Sequence, residues 1–179
     1  CEPDFGYITN FGKAHLEGFI NVEGVIKAKT ELYQWIIEND KVLLINGNDK
    51  TQNKFANHKS IVFGSGNNCN YIFNESNKDL VHVLFEEFLF KTNLYGSYNY
   101  SNVCAAIALG LEFGLDKNEI NQALLDYNSE NNRSEIIRIN GKTIILDAYN
   151  ANPSSMEEAI KSFSKFNGEK AIILGDMYE

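Results

Sequence analysis

The run Lys142-Thr143-Ile144-Ile145-Leu146-Asp147-Ala148-Tyr149-Asn150-Ala151-Asn152-Pro153-Ser154-Ser155-Met156 decides the fold class. Residues 143–146 read as a strand that ends in a carboxylate, passes through a dense polar loop and enters a helix. Asn152 can cap the free amides of the next turn, and Pro153 suits the first helical position, where its missing N–H costs nothing. Residues 155–166 continue with helical apolar spacing, and residues 170–174 read as a further strand. Strand, helix and strand in that order predict the opening of a parallel α/β domain. A polar strand-to-helix turn is a usual place to hold a nucleotide or anionic substrate; it is equally the form of a plain capped crossover.

Working upstream, residues 135–139 and 142–146 flank Asn140-Gly141, a pair that readily supplies the positive φ angles of a tight hairpin turn. The polar stretch 128–133 before it places a domain change at about residue 145, giving one unit over 1–145 and the start of a second over 146–179. An Ala- and Leu-rich helix is predicted over 102–113, stopped by Gly114. Asp116 and Glu119 form a capping-box signature for a helix running to 126 or 127. Further back the pattern predicts a strand over 5–9, a loop over 10–19 and a helix over 22–38. In that helix Val22, Val25, Ile26, Leu32, Tyr33 and Ile36 share one side. Strands follow over 42–45, 61–64 and 69–73, and residues 80–90 read as extended.

Bulk properties narrow the function. The 179 residues carry 16 Lys plus Arg against 24 Asp plus Glu, a formal charge of -8. Long-range attraction to nucleic acid or to an acidic membrane is therefore not expected, although local amides and one or two cations can still bind a phosphate. Cys1, Cys69 and Cys104 are odd in number and widely spaced, with no zinc or disulfide pattern, which points to a reducing, cytoplasmic compartment. No run approaches the roughly 20 apolar residues of a transmembrane helix. The Cys1-Glu2-Pro3 start and the stop shortly after a strand-like run predict an internal fragment of a longer protein.

Among groups able to carry chemistry, Lys29 interrupts the apolar stripe of its helix. A buried ammonium is costly, so such a lysine is expected to be shifted in pKa, paired or chemically modified; the alternative is a stem that snorkels its amine to water. His15 and Glu17 lie in the preceding loop, His15 as a neighbour for metal or phosphate or as an ordinary loop histidine. Asn99 and Asn102, three apart at a helix start, can present amides whose donor and acceptor match a purine edge; capping competes for either one. Arg133 has a planar fork suited to phosphate, unless it simply faces solvent. No Gly-x-x-x-x-Gly-Lys-Ser/Thr loop is present, so the sequence lacks the common triphosphate cradle.

Six blocks together carry a resemblance: residues 8–19, 23–29, 96–106, 131–134, 147–156 and 174–179, among them Ile8-Thr9-Asn10-Phe11-Gly12-Lys13, Asn131-Asn132-Arg133-Ser134 and Leu174-Gly175-Asp176-Met177. In that order the chain resembles the Mur ligases, most of all those that join D-alanyl-D-alanine to a UDP-N-acetylmuramoyl-tripeptide. The resemblance implies an α/β fold: the later part of a central ATPase domain followed by the beginning of a C-terminal Rossmann-like domain. It implies ATP and Mg2+ as cofactors, His15 beside the magnesium site, and Lys29 carbamylated so that it helps hold a second magnesium. It likewise implies Asn99 and Asn102 at adenine, Arg133 at the ATP phosphates, Asp147 at the ribose, and Tyr149, Asn150 and Asn152 in the hinge near the substrates. His15, Lys29 and Arg133 are thus the implied catalytic set.

Tyr98 stands where family members often have His, which leaves adenine stacking there in question. Residues 46–93 match little beyond strand content. With the P-loop absent, the resemblance implies that the 179-residue chain alone neither ligates nor binds ATP well, and that it self-associates through an unfinished sheet, while the intact enzyme is a monomer. The alternatives are a sister Mur ligase, a folylpolyglutamate synthase-like amide ligase, or a non-catalytic α/β module; the wording of residues 147–153 argues against the first two.

Overall fold

The computed structural model describes residues 2–12, 21–76, 80–129 and 132–177. The first helix, α1 (Val22–Glu38), begins at Asn21, whose side chain accepts the Gly24 N–H. That cap satisfies one of the donors a helix start leaves open. Strand β1 (Phe5–Gly6) precedes it and β2 (Val42–Asn46) follows, pairing in parallel. β3 (Ile61–Gly64) and β4 (Tyr71–Glu75) extend the parallel part. β5 (Val83–Phe85) and β6 (Phe88–Phe90) then fold back antiparallel, so the sheet runs in sequence order from β1 to β6. The extended reading of residues 80–90 therefore holds, with a tight turn at Glu86, φ 54°.

Strand β2 shows why the sheet needs cover on both faces. Leu43 and Ile45 point to one side and pack with Ile8, Tyr33 and Ile36 of the α1 layer. Leu44 points to the other, into a larger core with Phe63, Phe73, Val83 and Phe90. Helices α2 (Tyr100–Glu112) and α3 (Lys117–Asp126) close that second face through Val103, Ile107, Ala108 and Ile120. A continuous apolar strand is the expected signature of such two-sided burial. The capping box read from Asp116 and Glu119 is formed.

The hairpin β7 (Glu135–Ile139) and β8 (Lys142–Leu146) turns through Asn140 and Gly141 at φ 51° and 73°, as the dipeptide predicts. Helix α4 (Pro153–Ser164) starts at Asn152 with a reciprocal cap: the Asn152 side chain accepts the Ser155 N–H at 2.9 Å, and Ser155 Oγ accepts the Asn152 N–H. Just past its end, Phe166 stacks on Tyr95 with ring centroids 4.7 Å apart.

Two expectations require correction. Residues 170–174 form no strand: residues 167–177 contain neither helix nor ladder, and Ile173 is 99% exposed. A strand needs a neighbour for its N–H and C=O groups, and no described residue supplies one, so the expected strand–helix–strand unit is realised only as far as α4. The first strand is also shorter than 5–9, because beyond Gly6 the backbone leaves the sheet and runs along α1.

Candidate functional site

The segment leaving β1 lies against successive turns of α1. At Gly6 a Cβ would meet Ile36 Cγ1 at 3.0 Å, so glycine permits the close approach. One turn earlier, the Tyr33 hydroxyl accepts the Ile8 N–H at 3.3 Å. Another turn earlier, Lys29 Nζ donates to the Asn10 carbonyl at 2.9 Å. Lys29 shares the azimuth of the apolar stripe, yet it is half-buried rather than buried, and Thr30 is the enclosed residue of that turn. Where the expectation was a sequestered amine, the chain segment opposite supplies a carbonyl at the rim of the layer. His15 and Glu17 lie outside the described residues.

Beneath this edge is a polar network that the sequence pattern missed. Buried Gln52 accepts the Asn46 N–H at 2.9 Å through Oε1, to which the Tyr33 hydroxyl also donates at 3.4 Å, and its amide donates to Asp49. Burial pushes the Tyr33 phenol up to about 12, with the Asp49 charge adding to the rise and the Ile8 N–H opposing it. A glutamine followed by no apolar periodicity gave no signal of burial; only the return of residues 49–52 under β2 reveals it.

The Gly96–Asn102 loop enters α2 through a turn of 3-10 helix, Ser97–Asn99. Gly96 has φ 91°, and a Cβ there would lie 2.4 Å from the Tyr98 ring, so the phenol rests on the glycine backbone. The Asn99 amide donates to the Tyr95 carbonyl at 2.8 Å rather than capping the helix. Asn102 is exposed on the first turn of α2.

Residues 132–134 and the loop 147–149 are tied directly. The Asn132 carbonyl accepts the N–H groups of Ala148 and Tyr149, at 2.8 and 3.2 Å. Asp147 Oδ1 accepts the Ser134 N–H at 3.1 Å. Between these ties the Arg133 guanidinium lies over the Tyr149 ring, 3.8 Å from its centroid. Asn132 and Ser134 both hold positive φ, 59° and 53°, a region that asparagine tolerates and serine adopts at a cost. Asn150 accepts the Ala151 N–H at 3.0 Å, and Asn152 is occupied as the α4 cap.

Tyr98 joins the loop to the linker through a short hydrogen bond between its hydroxyl and Ser134 Oγ. Burial raises the Tyr98 phenol, the Ser134 bond opposes that, and the Asp147 charge adds to the rise. Asp147, Arg133 and Tyr149 thus come together with Tyr98, beside Asn99. Lys29 belongs to a second group at Asn10. Gly12, two residues past Asn10, faces Ser154 at the start of α4, where a Gly12 Cβ would sit 3.9 Å from Ser154 Cβ. The described residues contain no cluster of three His, Cys, Asp or Glu side chains able to hold a metal ion, so they do not by themselves fit a magnesium site. No helix among them is long and apolar enough to cross a membrane.

Comparison with known proteins bears on this arrangement. The sequence model of the Mur ligase middle domain matches residues 1–110, and that of the Mur ligase glutamate ligase domain matches residues 132–179. The chain is 30% identical to the UDP-N-acetylmuramoyl-tripeptide–D-alanyl-D-alanine ligase of Bacillus subtilis, over all of this chain and 40% of the relative. It is 30% identical to the Escherichia coli ligase of the same description, over 99% of this chain and 42% of the relative. Among solved structures, MurF from Acinetobacter baumannii superposes with a TM-score of 0.79 at 25% identity, covering 93% of this chain and 38% of that one. MurF from Thermotoga maritima in complex with ADP gives a TM-score of 0.76 at 21% identity, over 93% of this chain and 40% of that one, a likeness of fold. The chain therefore spans about 40% of the length of these relatives. With the middle-domain match alone covering well over half of its residues, this α/β chain belongs to the Mur ligase family.

Proposed function

We propose that the chain is part of an ATP-dependent ligase that joins D-alanyl-D-alanine to a UDP-N-acetylmuramoyl-tripeptide in peptidoglycan precursor synthesis. The observation that carries this reading is the 30% identity to D-alanyl-D-alanine-adding ligases, sustained over the whole chain. It is supported by the way residues 147–154 join two groups of candidate site residues, Lys29 with the Asn10 loop and Arg133 with Tyr98 and Asp147. ATP supplies the γ-phosphoryl group that converts the terminal carboxylate of the tripeptide into an acyl phosphate. The amine of D-alanyl-D-alanine then attacks that carbonyl, and inorganic phosphate leaves as the amide forms.

In this reading Asn99 and Asn102 face adenine, Asp147 the ribose and Arg133 the phosphates. Arg133 would leave the Tyr149 ring to do so, exchanging a cation–π contact for charge-assisted hydrogen bonds. Tyr149, Asn150 and Asn152 shape the substrate side of the hinge. Asn152 acts through the start of α4, since its side chain is occupied there. Lys29, carbamylated, would carry negative charge next to the Asn10 loop, and with His15 would serve magnesium. The described residues do not by themselves make up the donor set for that ion. Movement of the unit that begins at about residue 146 relative to 1–145 would exclude water from the acyl phosphate. The location proposed is cytoplasmic and the complete enzyme a monomer.

The second reading is a sister ligase, favoured by 29% identity over 90% of the chain to a UDP-N-acetylmuramoylalanine–D-glutamate ligase of Caldicellulosiruptor bescii. Offering the complete protein each amine with its matching UDP-linked acceptor separates the two. Phosphate release with D-alanyl-D-alanine and the tripeptide supports the first reading; release only with D-glutamate and the monopeptide replaces it.

A further inference from the structure

Tyr98 occupies a position where the resemblance leaves its role open, and its surroundings settle on one. Its ring lies against Gly96, whose φ of 91° and lack of Cβ make room for it. The same ring is half-buried, and its hydroxyl is bonded to Ser134 Oγ. Ser134 is itself 6% exposed, held at φ 53°, and donates its N–H to Asp147 Oδ1 at 3.1 Å. The neighbouring carbonyl of Asn132 takes the Ala148 and Tyr149 amides. A serine in this backbone region needs its surroundings to hold it; the Asp147 carboxylate takes its N–H and the Tyr98 hydroxyl holds its side chain.

We propose that Tyr98 is a positioning residue: through the Ser134 hydroxyl it fixes the left-handed turn that aims the Ser134 amide at Asp147, and so sets the hinge carboxylate rather than stacking on a base. The loop bearing Asn99 is thereby coupled to the hinge through one tyrosine–serine–aspartate chain. Loss of the phenol oxygen alone, with the ring retained, releases Ser134 and leaves Asp147 unaimed. The role at the nucleotide rests on the ligase reading, whereas the clasp itself does not.

The test has two arms. In the 179-residue chain, amide hydrogen exchange is compared for the wild type, Tyr98→Phe, Ser134→Ala and the double variant. Exchange at the backbone amides of position 134, Ala148 and Tyr149 is expected to quicken about 5-fold or more in each single variant, the scale of one lost hydrogen bond. The double variant should be no faster than either, and α2 should be unchanged. Unaltered exchange at position 134 in Tyr98→Phe, or equal acceleration throughout α2, overturns the proposal. In the complete protein, Tyr98→Phe should lower ATP affinity and narrow the preference for ATP over 2′- and 3′-deoxy-ATP, leaving the ATP-to-GTP ratio intact. A changed ATP-to-GTP ratio with the ribose preference retained would assign Tyr98 to the base and overturn the proposal. Failure of the wild-type complete protein to bind ATP refutes the ligase reading, and the exchange arm then still decides the clasp.

Discussion

Replacing Lys29 by Ala separates a chemical role from a structural one, because the structure assigns the amine little of the fold. Lys29 is half-buried and its Nζ makes one hydrogen bond, to the Asn10 carbonyl at 2.9 Å. A hydrogen bond to a charged group contributes about 1.5–3 kcal/mol when well enclosed, and solvent at this rim reduces the expected loss to about 1 kcal/mol. For a chain of this size that corresponds to a fall in Tm of about 2–4 °C. With the role proposed for Lys29, turnover by the complete protein should fall by about 10–100-fold. Added bicarbonate should raise wild-type turnover in CO2-depleted buffer and leave Lys29→Ala unchanged. Thermal melts paired with a phosphate-release assay read both quantities. Full activity in Lys29→Ala refutes the catalytic assignment. A loss of stability above about 3 kcal/mol would instead mark the amine as structural.

Asn102→Ala in the complete protein should raise the apparent ATP constant by an amount equivalent to roughly 1–3 kcal/mol, with the D-alanyl-D-alanine constant little changed; an unchanged preference for ATP over GTP counts against adenine readout. Asn152→Ala removes the α4 cap and should cost about 1 kcal/mol in chemical denaturation, recovered largely by Asn152→Ser, since serine accepts the same amide. Stability should also fall in alkali. The Tyr33 phenol is raised from its ordinary 10 to about 12 by burial, so the folded state favours the protonated form, and that stabilisation is complete below pH 10 and lost as pH rises to about 12. Burial also pushes Tyr71 and Cys104 up to about 12, so Tyr33→Phe should reduce the slope of this part of the pH–stability curve without abolishing it, and a curve identical to wild type between pH 10 and 12 would show that Tyr33 does not contribute to it.

Local chemistry made much of the fold legible. The apolar stripe marks α1, Asp116 with Glu119 starts α3, Asn140-Gly141 fixes the hairpin and Asn152-Pro153 starts α4. At the starts of α3 and α4 a side chain satisfies a backbone group within a few residues, and in the hairpin the dipeptide itself supplies the positive φ, so the sequence window contains what decides each of them. Residues 170–174 failed as a strand because strand formation depends on a neighbour that the window cannot supply. The site divides the same way. Arg133, Asp147 and Tyr149 are brought together, but Ser134, which joins them to Tyr98, carried no pattern of its own. Lys29 was expected to be buried from its azimuth alone, whereas its exposure is set by where the Asn10 segment crosses the helix. Gln52 was missed because its partners Asn46, Asp49 and Tyr33 meet only once the sheet and α1 are assembled.

A ligase must consume ATP only when both of the partners it joins are present. In the complete protein, phosphate release is followed with ATP, UDP-N-acetylmuramoyl-tripeptide and D-alanyl-D-alanine, each omitted in turn; the 179-residue chain is assayed in parallel. Release is expected to require all three substrates in the complete protein and to be absent from the 179-residue chain, which lacks a P-loop sequence and carries a net charge of -8 against a highly charged ligand. Substrate-dependent turnover by the 179-residue chain alone, or release by the complete protein that ignores D-alanyl-D-alanine, would contradict that expectation.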